Sequence, residues 1–181
     1  EQGISDCDIK LPFSSCEKFN GMIDGTVTPI PSKGFIHIKF LLDTFTKLTD
    51  ILTAYLRPSE EDLQDEEFFR ISTSLLFYTI SVAISQIGNH DDIGKFSADH
   101  IVDGDIKMSI KGGPAATVRA KNGHLVTIKQ APEEPRAIME FGSMKLAHDL
   151  FDGKVNAVAQ IGEGTIAMHG MINMIDNLNR I

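Results

Sequence analysis

The chain has 181 residues, 42% of them hydrophobic and 23% charged, which is typical of a soluble globular protein with a substantial core. Its net charge of −8 argues against general nucleic-acid binding, because phosphate contacts need clustered Lys and Arg side chains. No apolar run reaches the length of about 18 residues that indicates a membrane span, so we expect no stable membrane insertion. Two cysteines, Cys7 and Cys16, are too few for a disulfide framework and favour a cytoplasmic location.

The first half of the chain contains four recognisable segments. FIHIKF (35–40) alternates and predicts a strand, and LLDTFTKLTDILTAYL (41–56) predicts a helix that stops before Pro58. Residues 57–65 are rich in Asp and Glu and are interpreted as an acidic linker. EEFFRISTSLLFYTISVAISQIG (66–88) then predicts a long apolar helix of about six turns.

The second half predicts an antiparallel sheet. Four segments alternate between apolar and polar residues, which is typical of strands with one buried face. Asn122-Gly123 separates the second and third of them, and this dipeptide is a strong signal for a hairpin turn. The four segments are DIKMSIK, AATVRAK, HLVTIKQ and RAIMEFG.

Helices and one more strand complete the pattern. Ser143 is a candidate N-cap for the helix SMKLAHDLF, in which Met144, Leu150 and Phe151 share one apolar stripe. VNAVAQI predicts a second short helix, TIAMH a strand, and MINMIDNLNRI a terminal amphipathic helix. We therefore expect an α+β fold.

Segments of the two halves are similar enough to indicate a partial internal repeat. FSSCEKFNGMIDG (13–25) aligns with FGSMKLAHDLFDG (141–153), and residues 34–51 align with residues 164–181. The repeat predicts that residues 1–56 are a partial copy, containing the last strands and C-terminal helix of the complete domain at 66–181. The alternative is that any strand–helix unit shows a similar periodicity.

The end of the chain, RAIMEFGSMKLAHDLFDGKVNAVAQIGEGTIAMHGMINMIDNLNRI, resembles the sterol carrier protein type 2 family. The motifs are Ser143 opening a short helix, Leu150 followed by Gly153-Lys154, and the strand between Gly164 and Gly170. The resemblance implies a five-stranded, mainly antiparallel sheet with helices packed on one face. It also implies an apolar tunnel for a sterol, fatty acid or acyl chain, and no catalysis.

The methionine-rich faces suit such a tunnel, because methionine is unbranched and re-packs easily around a flexible ligand. A buried acyl chain gains about 0.8 kcal/mol per CH₂, so no charged clamp is required. The alternative is that these apolar stripes are packed core. The predicted ligand-binding residues are Met139, Phe141, Met144, Leu146, Leu150, Phe151, Ile166, Met168, Met171, Ile175 and Leu178.

Other chemistry is weakly supported by the sequence. The six histidines lack metal-ligand spacing and neither cysteine has a histidine nearby, so we expect no catalytic residue, metal or cofactor. The expected partner is a small hydrophobic lipid, not a nucleic acid. Two alternatives stay open: an accessory dimerisation or regulatory module that forms homo-oligomers, and an acyl-CoA thioesterase-like enzyme.

Overall fold

The computed structural model describes residues 6–181, which divide into two compact units between Arg57 and Pro58. The first unit is built from short helical segments. α1 begins after Ser15, whose hydroxyl accepts a hydrogen bond from the Lys18 amide at 3.3 Å. Its segments are α1 (Cys16–Ile23), a 3₁₀ turn (Phe35–His37), α2 (Ile38–Phe40), a π-helical turn (Leu41–Phe45) and α3 (Thr46–Leu56).

The strand predicted over FIHIKF is wrong, because residues 35–40 are helical. In the described part of this unit, the β-pairing is a single bridge between Lys10 and Lys33, so no neighbouring strand satisfies the backbone of residues 35–40. The predicted match to the strand TIAMH therefore fails here. The assignment of residues 1–56 as a partial copy stays a prediction, and its residues 1–5 lie outside the described residues.

The second unit begins with the predicted long helix, which is confirmed as α4 (Glu66–His90). Asp65 caps it, since its side chain accepts a hydrogen bond from the Phe68 amide at 2.7 Å. Within the stretch predicted as an acidic linker, a 3₁₀ turn forms over Asp62–Gln64. A second helix, α5 (Asp92–Ala98), follows α4 directly and begins at Asp91.

Five strands form one sheet, and all five were predicted from the alternating pattern. Their order across the sheet is β3-β2-β1-β4-β5, with β1 and β4 parallel and the other three pairs antiparallel. The hairpin at Asn122-Gly123 is confirmed, since both residues have positive φ. The strands are β1 (Gly104–Ile110), β2 (Ala115–Lys121), β3 (His124–Ile128), β4 (Ala137–Phe141) and β5 (Ile166–Gly170).

The helices of this unit cover one face of the sheet, as expected. That face carries the apolar residue of each alternating pair, and these side chains form the core with helix residues such as Phe77, Ile175 and Leu178. The opposite face is polar and includes the exposed Arg119 and Lys121. The remaining helices are α6 (Met144–Phe151), α7 (Ala157–Gly162) and α8 (Ile172–Asn179).

Polar side chains fix α4 against the edge strand β3. Asn89 makes two hydrogen bonds of 2.8 Å with the Leu125 backbone, one donated and one accepted by its amide. The Thr127 hydroxyl donates to the Ser81 carbonyl, so the Ser85 hydroxyl donates to Thr127, each at 2.6 Å. These bonds satisfy one edge of the sheet and set the position of α4 along it.

Among the described residues, α4 is long and apolar enough to cross a membrane by length and composition alone. In this structure the helix packs on the sheet and buries Phe77, Thr73 and three serines.

Candidate hydrophobic ligand site

Ten of the eleven predicted ligand-binding residues come together between the core face of the sheet and the helices α6 and α8. Five are buried and belong to the core itself: Met139, Phe141, Ile166, Ile175 and Leu178. Five are partly buried and pack against it: Met144, Leu146, Leu150, Phe151 and Met168. Met171 differs, because it precedes α8 and is 36% exposed.

Three methionines form one row across the centre of this face. Met108 on β1 lies opposite Met139 on β4, and Met139 lies opposite Met168 on β5. Met108 and Met139 are buried, and Met168 is partly buried. The three side chains therefore form a continuous flexible row, and a ligand-binding role for Met139 and Met168 stays a prediction.

A groove of about 560 Å³ opens beside this core. One wall is α4, which contributes a stripe of residues at helical spacing. The other wall is the β1–β2 turn, Gly112 to Pro114, and Met144 at the start of α6 closes one end. The stripe on α4 consists of Arg70, Ile71, Ser74, Leu75 and Tyr78. Of the eleven predicted ligand-binding residues, Met144 is the one that lines this groove.

Gly113 and Met144 are in close contact at the rim of the groove. A Cβ atom on Gly113 would lie 2.5 Å from the Met144 sulfur and 3.2 Å from the Ile110 Cβ. The absence of a side chain at Gly113 therefore lets Met144 lie against the turn.

Aromatic rings lie directly behind the groove wall. The ring of Tyr78, which lines the groove, lies 5.5 Å from the ring of the fully buried Phe77. Phe151 lies 6.4 Å from Phe77 and 5.5 Å from Phe141, measured between ring centroids. Two of the predicted residues, Phe141 and Phe151, thus connect the groove wall to the core face of the sheet.

The groove is apolar apart from a few groups. Of the residues that the structure describes, Arg70 is the one charged residue that lines it. The described residues offer its guanidinium no ion pair, since the seven salt bridges formed by these residues involve other side chains. Tyr78 receives the Lys129 ammonium over its ring at 5.6 Å. Arg70 and Lys129 therefore place two positive charges beside the groove.

His148 is the buried titratable group of this region. It is 2% exposed, its Nδ1 lies 3.4 Å from the Thr73 hydroxyl, and its ring lies 5.3 Å from that of Phe69. Its Nε2 has no hydrogen-bond partner among the described residues. Burial lowers the pKa of His148 from its ordinary value, because the charged imidazolium loses its hydration.

A second recess, of about 400 Å³, lies on the other face of the sheet and has a different character. Arg119 donates two hydrogen bonds, of 2.7 and 2.8 Å, to the two carboxylate oxygens of Asp105 at its wall. These bonds hold the pKa of Asp105 below its ordinary value. Glu133 and Glu134 also line this recess, so it does not suit an apolar ligand.

Sequence reasoning missed the α4 side of the groove. Arg70, Ser74 and Tyr78 are spaced at i, i+4 and i+8, and Ile71 and Leu75 are spaced at i and i+4, so a shared face could have been predicted. That this face meets the Gly113 turn depends on the packing of α4 across the sheet. The sequence pattern carries no signal for that contact.

Searches for related proteins gave structural neighbours only. No family model and no curated protein matches the chain. Several solved structures of sterol carrier protein 2 domains are similar to it, and this is the family that the sequence motifs resemble.

Three of these structures illustrate the degree of similarity. "UbiJ-SCP2 Ubiquinone synthesis protein" is 12% identical, with a TM-score of 0.45, over 57% of this chain and 89% of that one. Sterol carrier protein domain 2 of Helicoverpa armigera is 18% identical, with a TM-score of 0.45, over 59% and 83%. Sterol carrier protein 2 from Yarrowia lipolytica in its apo form is 16% identical, with a TM-score of 0.42, over 60% and 91%.

Proposed function

We propose that the second unit binds one lipid molecule with a long hydrocarbon chain and an acidic head, a fatty acid being the simplest example, without transforming it. The observation that carries this proposal is the groove between α4 and the Gly113 turn, with apolar walls and a single charged residue, Arg70. Its volume of about 560 Å³ falls within the range of about 300 to 1,000 Å³ that is usual for small-molecule pockets.

The head of the ligand pairs with Arg70. An arginine guanidinium binds a carboxylate with two parallel hydrogen bonds. The Ser74 hydroxyl on the next turn donates to the Arg70 carbonyl at 2.7 Å, so the donors to the ligand come from the Arg70 guanidinium. Because Arg70 is exposed, this contact contributes orientation more than affinity.

The hydrocarbon chain supplies the affinity. It lies along Leu75 and Tyr78 and displaces the flexible Met144 side chain at the rim. Beyond Met144 it enters between the sheet and α6, where the predicted residues Phe151, Phe141 and the methionine row surround it. Each methylene removed from water contributes about 0.8 kcal/mol.

α7 is weakly packed against the rest of the unit, which favours ligand entry. α7 buries none of its six residues, and Val158 on it is 77% exposed. A helix with so little buried apolar surface separates from the sheet at low cost in free energy. Entry therefore requires movement of α6 and α7 and leaves α4 in place.

A titration with a fluorescent C18 fatty acid, labelled at its methyl end, tests the proposal on the full chain. We expect saturable binding at one molecule per chain. Leu75→Glu should weaken it at least about tenfold, since it removes apolar contact equivalent to two methylenes, or about 1.6 kcal/mol, and adds a like charge. Val82→Glu is the matched control, because Val82 lies on the same helix, is 37% exposed and does not line the groove.

A second variant keeps the test decisive if Leu75→Glu fails to fold. Arg70→Gln changes an exposed residue and should weaken fatty-acid binding about two- to fivefold, the effect typical of an exposed charge pair. Circular dichroism melts establish that each variant is folded. An absence of saturable binding, or equal affinities for wild type, Leu75→Glu and Arg70→Gln, would contradict the proposal.

A further inference from the structure

We infer that the first unit holds a separate site for a neutral lipid that carries a hydroxyl group, such as a long-chain alcohol. The unit contains a cavity of about 640 Å³, and every residue that lines it lies between Met22 and Leu56. The site is therefore independent of the groove in the second unit.

The apolar wall of this cavity is a helical stripe. Six apolar residues recur at intervals of three, four or seven positions from the 3₁₀ turn to the end of α3, and all line the cavity. They are Phe35, Ile38, Leu41, Phe45, Leu52 and Leu56. Val27 and Ile30 from the loop after α1 face them. Within FIHIKF, which was predicted as a strand, Phe35 and Ile38 belong to this stripe.

In the first unit the apolar stripe lines the cavity and is not buried in a packed core. Among its described residues, the buried ones are Pro31 and Leu41, and Leu41 is 7% exposed. Two other lining residues, Leu42 and Leu52, are 63% and 38% exposed. Apolar area of this kind gains about 25 cal/mol per Å² when it leaves water, so a hydrocarbon chain in the cavity completes the apolar interior.

The polar edge of the cavity selects the head group. Thr46, Thr49, Asp50 and Thr53 all line it, and all lie on α3. The Thr46 hydroxyl donates to the Leu41 carbonyl at 3.1 Å, and the Thr49 hydroxyl donates to the Thr46 carbonyl at 2.7 Å. Each of these two oxygens retains its lone pairs, so at these two positions the edge accepts a hydrogen bond that a ligand hydroxyl can donate.

The charge at the cavity edge disfavours the ligand class proposed for the second unit. Among the described residues, Asp50 is the one charged residue that lines the cavity, and none of their lysines or arginines does. A fatty-acid carboxylate would lie beside the Asp50 carboxylate without a counter-ion, whereas an alcohol hydroxyl donates to it. The two sites therefore differ in the sign of their single charge, Arg70 in one and Asp50 in the other.

Equilibrium binding of radiolabelled 1-hexadecanol and hexadecanoate to the full chain tests this inference. The Leu75→Glu variant serves as background, because it weakens the groove and leaves the first unit unchanged. We expect this background to bind hexadecanol and to bind hexadecanoate more weakly. Leu52→Glu should reduce hexadecanol binding at least tenfold. Leu48→Glu is its matched control, since Leu48 is on the same helix, is 51% exposed and does not line the cavity.

The charge at Asp50 is tested in the same assay. Asp50→Lys should raise the affinity for hexadecanoate relative to hexadecanol about fivefold, while Asp43→Asn, which changes an acidic residue outside the cavity, should leave the ratio unchanged. An unchanged ratio in Asp50→Lys, or equal hexadecanol binding in Leu52→Glu and Leu48→Glu, would overturn the inference.

A third outcome would identify a different occupant. If sedimentation gives a mass of two chains that Leu52→Glu reduces to one, and no hexadecanol binds, the cavity is an interface between copies and the lipid inference is wrong. Failure of the groove proposal is distinguishable, because it appears as equal fatty-acid affinities in the wild type, Leu75→Glu and Arg70→Gln, whatever the variants of Asp50 and Leu52 do.

Discussion

Met139 lies directly opposite Met168 where β4 and β5 pair, on the face of the sheet that the helices cover. Met108 continues the row on β1. A protein core that requires only packing is served equally well by leucine, whose side chain has better-defined rotamers. A wall that yields to a ligand is better served by methionine. Exchanging this pair for leucine therefore distinguishes a role in stability from a role in ligand binding.

The double variant Met139→Leu/Met168→Leu tests this separation. Because the exchange conserves volume, we expect the free energy of unfolding to change by less than about 1.5 kcal/mol. We expect affinity for the fluorescent fatty acid to fall about threefold or more, since branched leucine side chains re-pack less readily around a guest. Urea denaturation and the titration measure the two quantities. Met174→Leu, in the buried face of α8, is the control, and equal affinities in all three proteins would argue for simple core packing.

Gly113→Ala tests the rim of the groove. The new methyl group must displace the flexible end of Met144, so we expect stability to fall by less than about 1 kcal/mol. The displaced side chain moves into the groove, and fatty-acid affinity should fall about fourfold, equivalent to one methylene of contact. Gly162→Ala is the matched control, because a Cβ at Gly162 meets no atom within 4 Å. Identical titration curves for the two variants would disconnect Met144 from ligand binding.

His148 makes the stability of the second unit depend on pH. Burial lowers the pKa of the folded-state imidazole below its ordinary value of 6.5, so the unfolded chain takes up a proton at a higher pH than the folded chain. Stability from this group is present above about pH 6.5 and is lost as the pH falls through the folded-state pKa. We therefore expect the urea concentration at the unfolding midpoint to decrease when the pH is lowered from 7.5 to 5.5.

The variant His148→Asn removes the titration and retains an amide near Thr73, so its midpoint should depend less on pH than that of the wild type. His124→Asn changes an exposed histidine on β3 and should retain the wild-type dependence. If His148→Asn loses as much stability on acidification as the wild type does, another group is responsible.

Gly170 ends β5 and connects it to α8, and two effects restrict this position to glycine. Its φ is +80°, and a Cβ would overlap the backbone carbonyl oxygen of Arg136. Gly164 provides the comparison, because its φ is +75° and a Cβ there meets nothing within 4 Å. Gly164→Ala should cost about 1 kcal/mol from backbone strain alone, and Gly170→Ala about 3 kcal/mol or more. Thermal unfolding measures both, and equal losses would show that the contact with Arg136 is unimportant.

The second half of the sequence predicted its structure well because each segment carries one period. Alternation in DIKMSIK and RAIMEFG is not compatible with a helix, and the strands β1 and β4 form there. Ser143 caps α6 as predicted, since its hydroxyl accepts a hydrogen bond from the Leu146 amide at 3.1 Å. Local signals of this kind determine local structure directly.

FIHIKF shows why the first half was harder to predict. Phe35, Ile38 and Leu41 fit a helical period, while Ile36 and Ile38 fit a strand period, so the segment carries both. A strand needs a partner, and the described part of the first unit offers one isolated bridge, so the helix forms. The groove could not be predicted for a related reason, since Arg70 and Gly113 line the same groove only because of tertiary packing.

The seven methionine methyl groups provide the most direct test of lipid binding in the groove, because they are distributed over both proposed sites. A carbon–proton correlation spectrum of methyl-labelled protein should be recorded during a titration with hexadecanoate. Met144 lines the groove, Met139 and Met168 belong to the core face, and Met22 lines the cavity of the first unit. We predict that the signals of Met144, Met139 and Met168 shift to saturation while that of Met22 stays in place. A Met144 signal that does not move at saturating hexadecanoate would contradict the proposal.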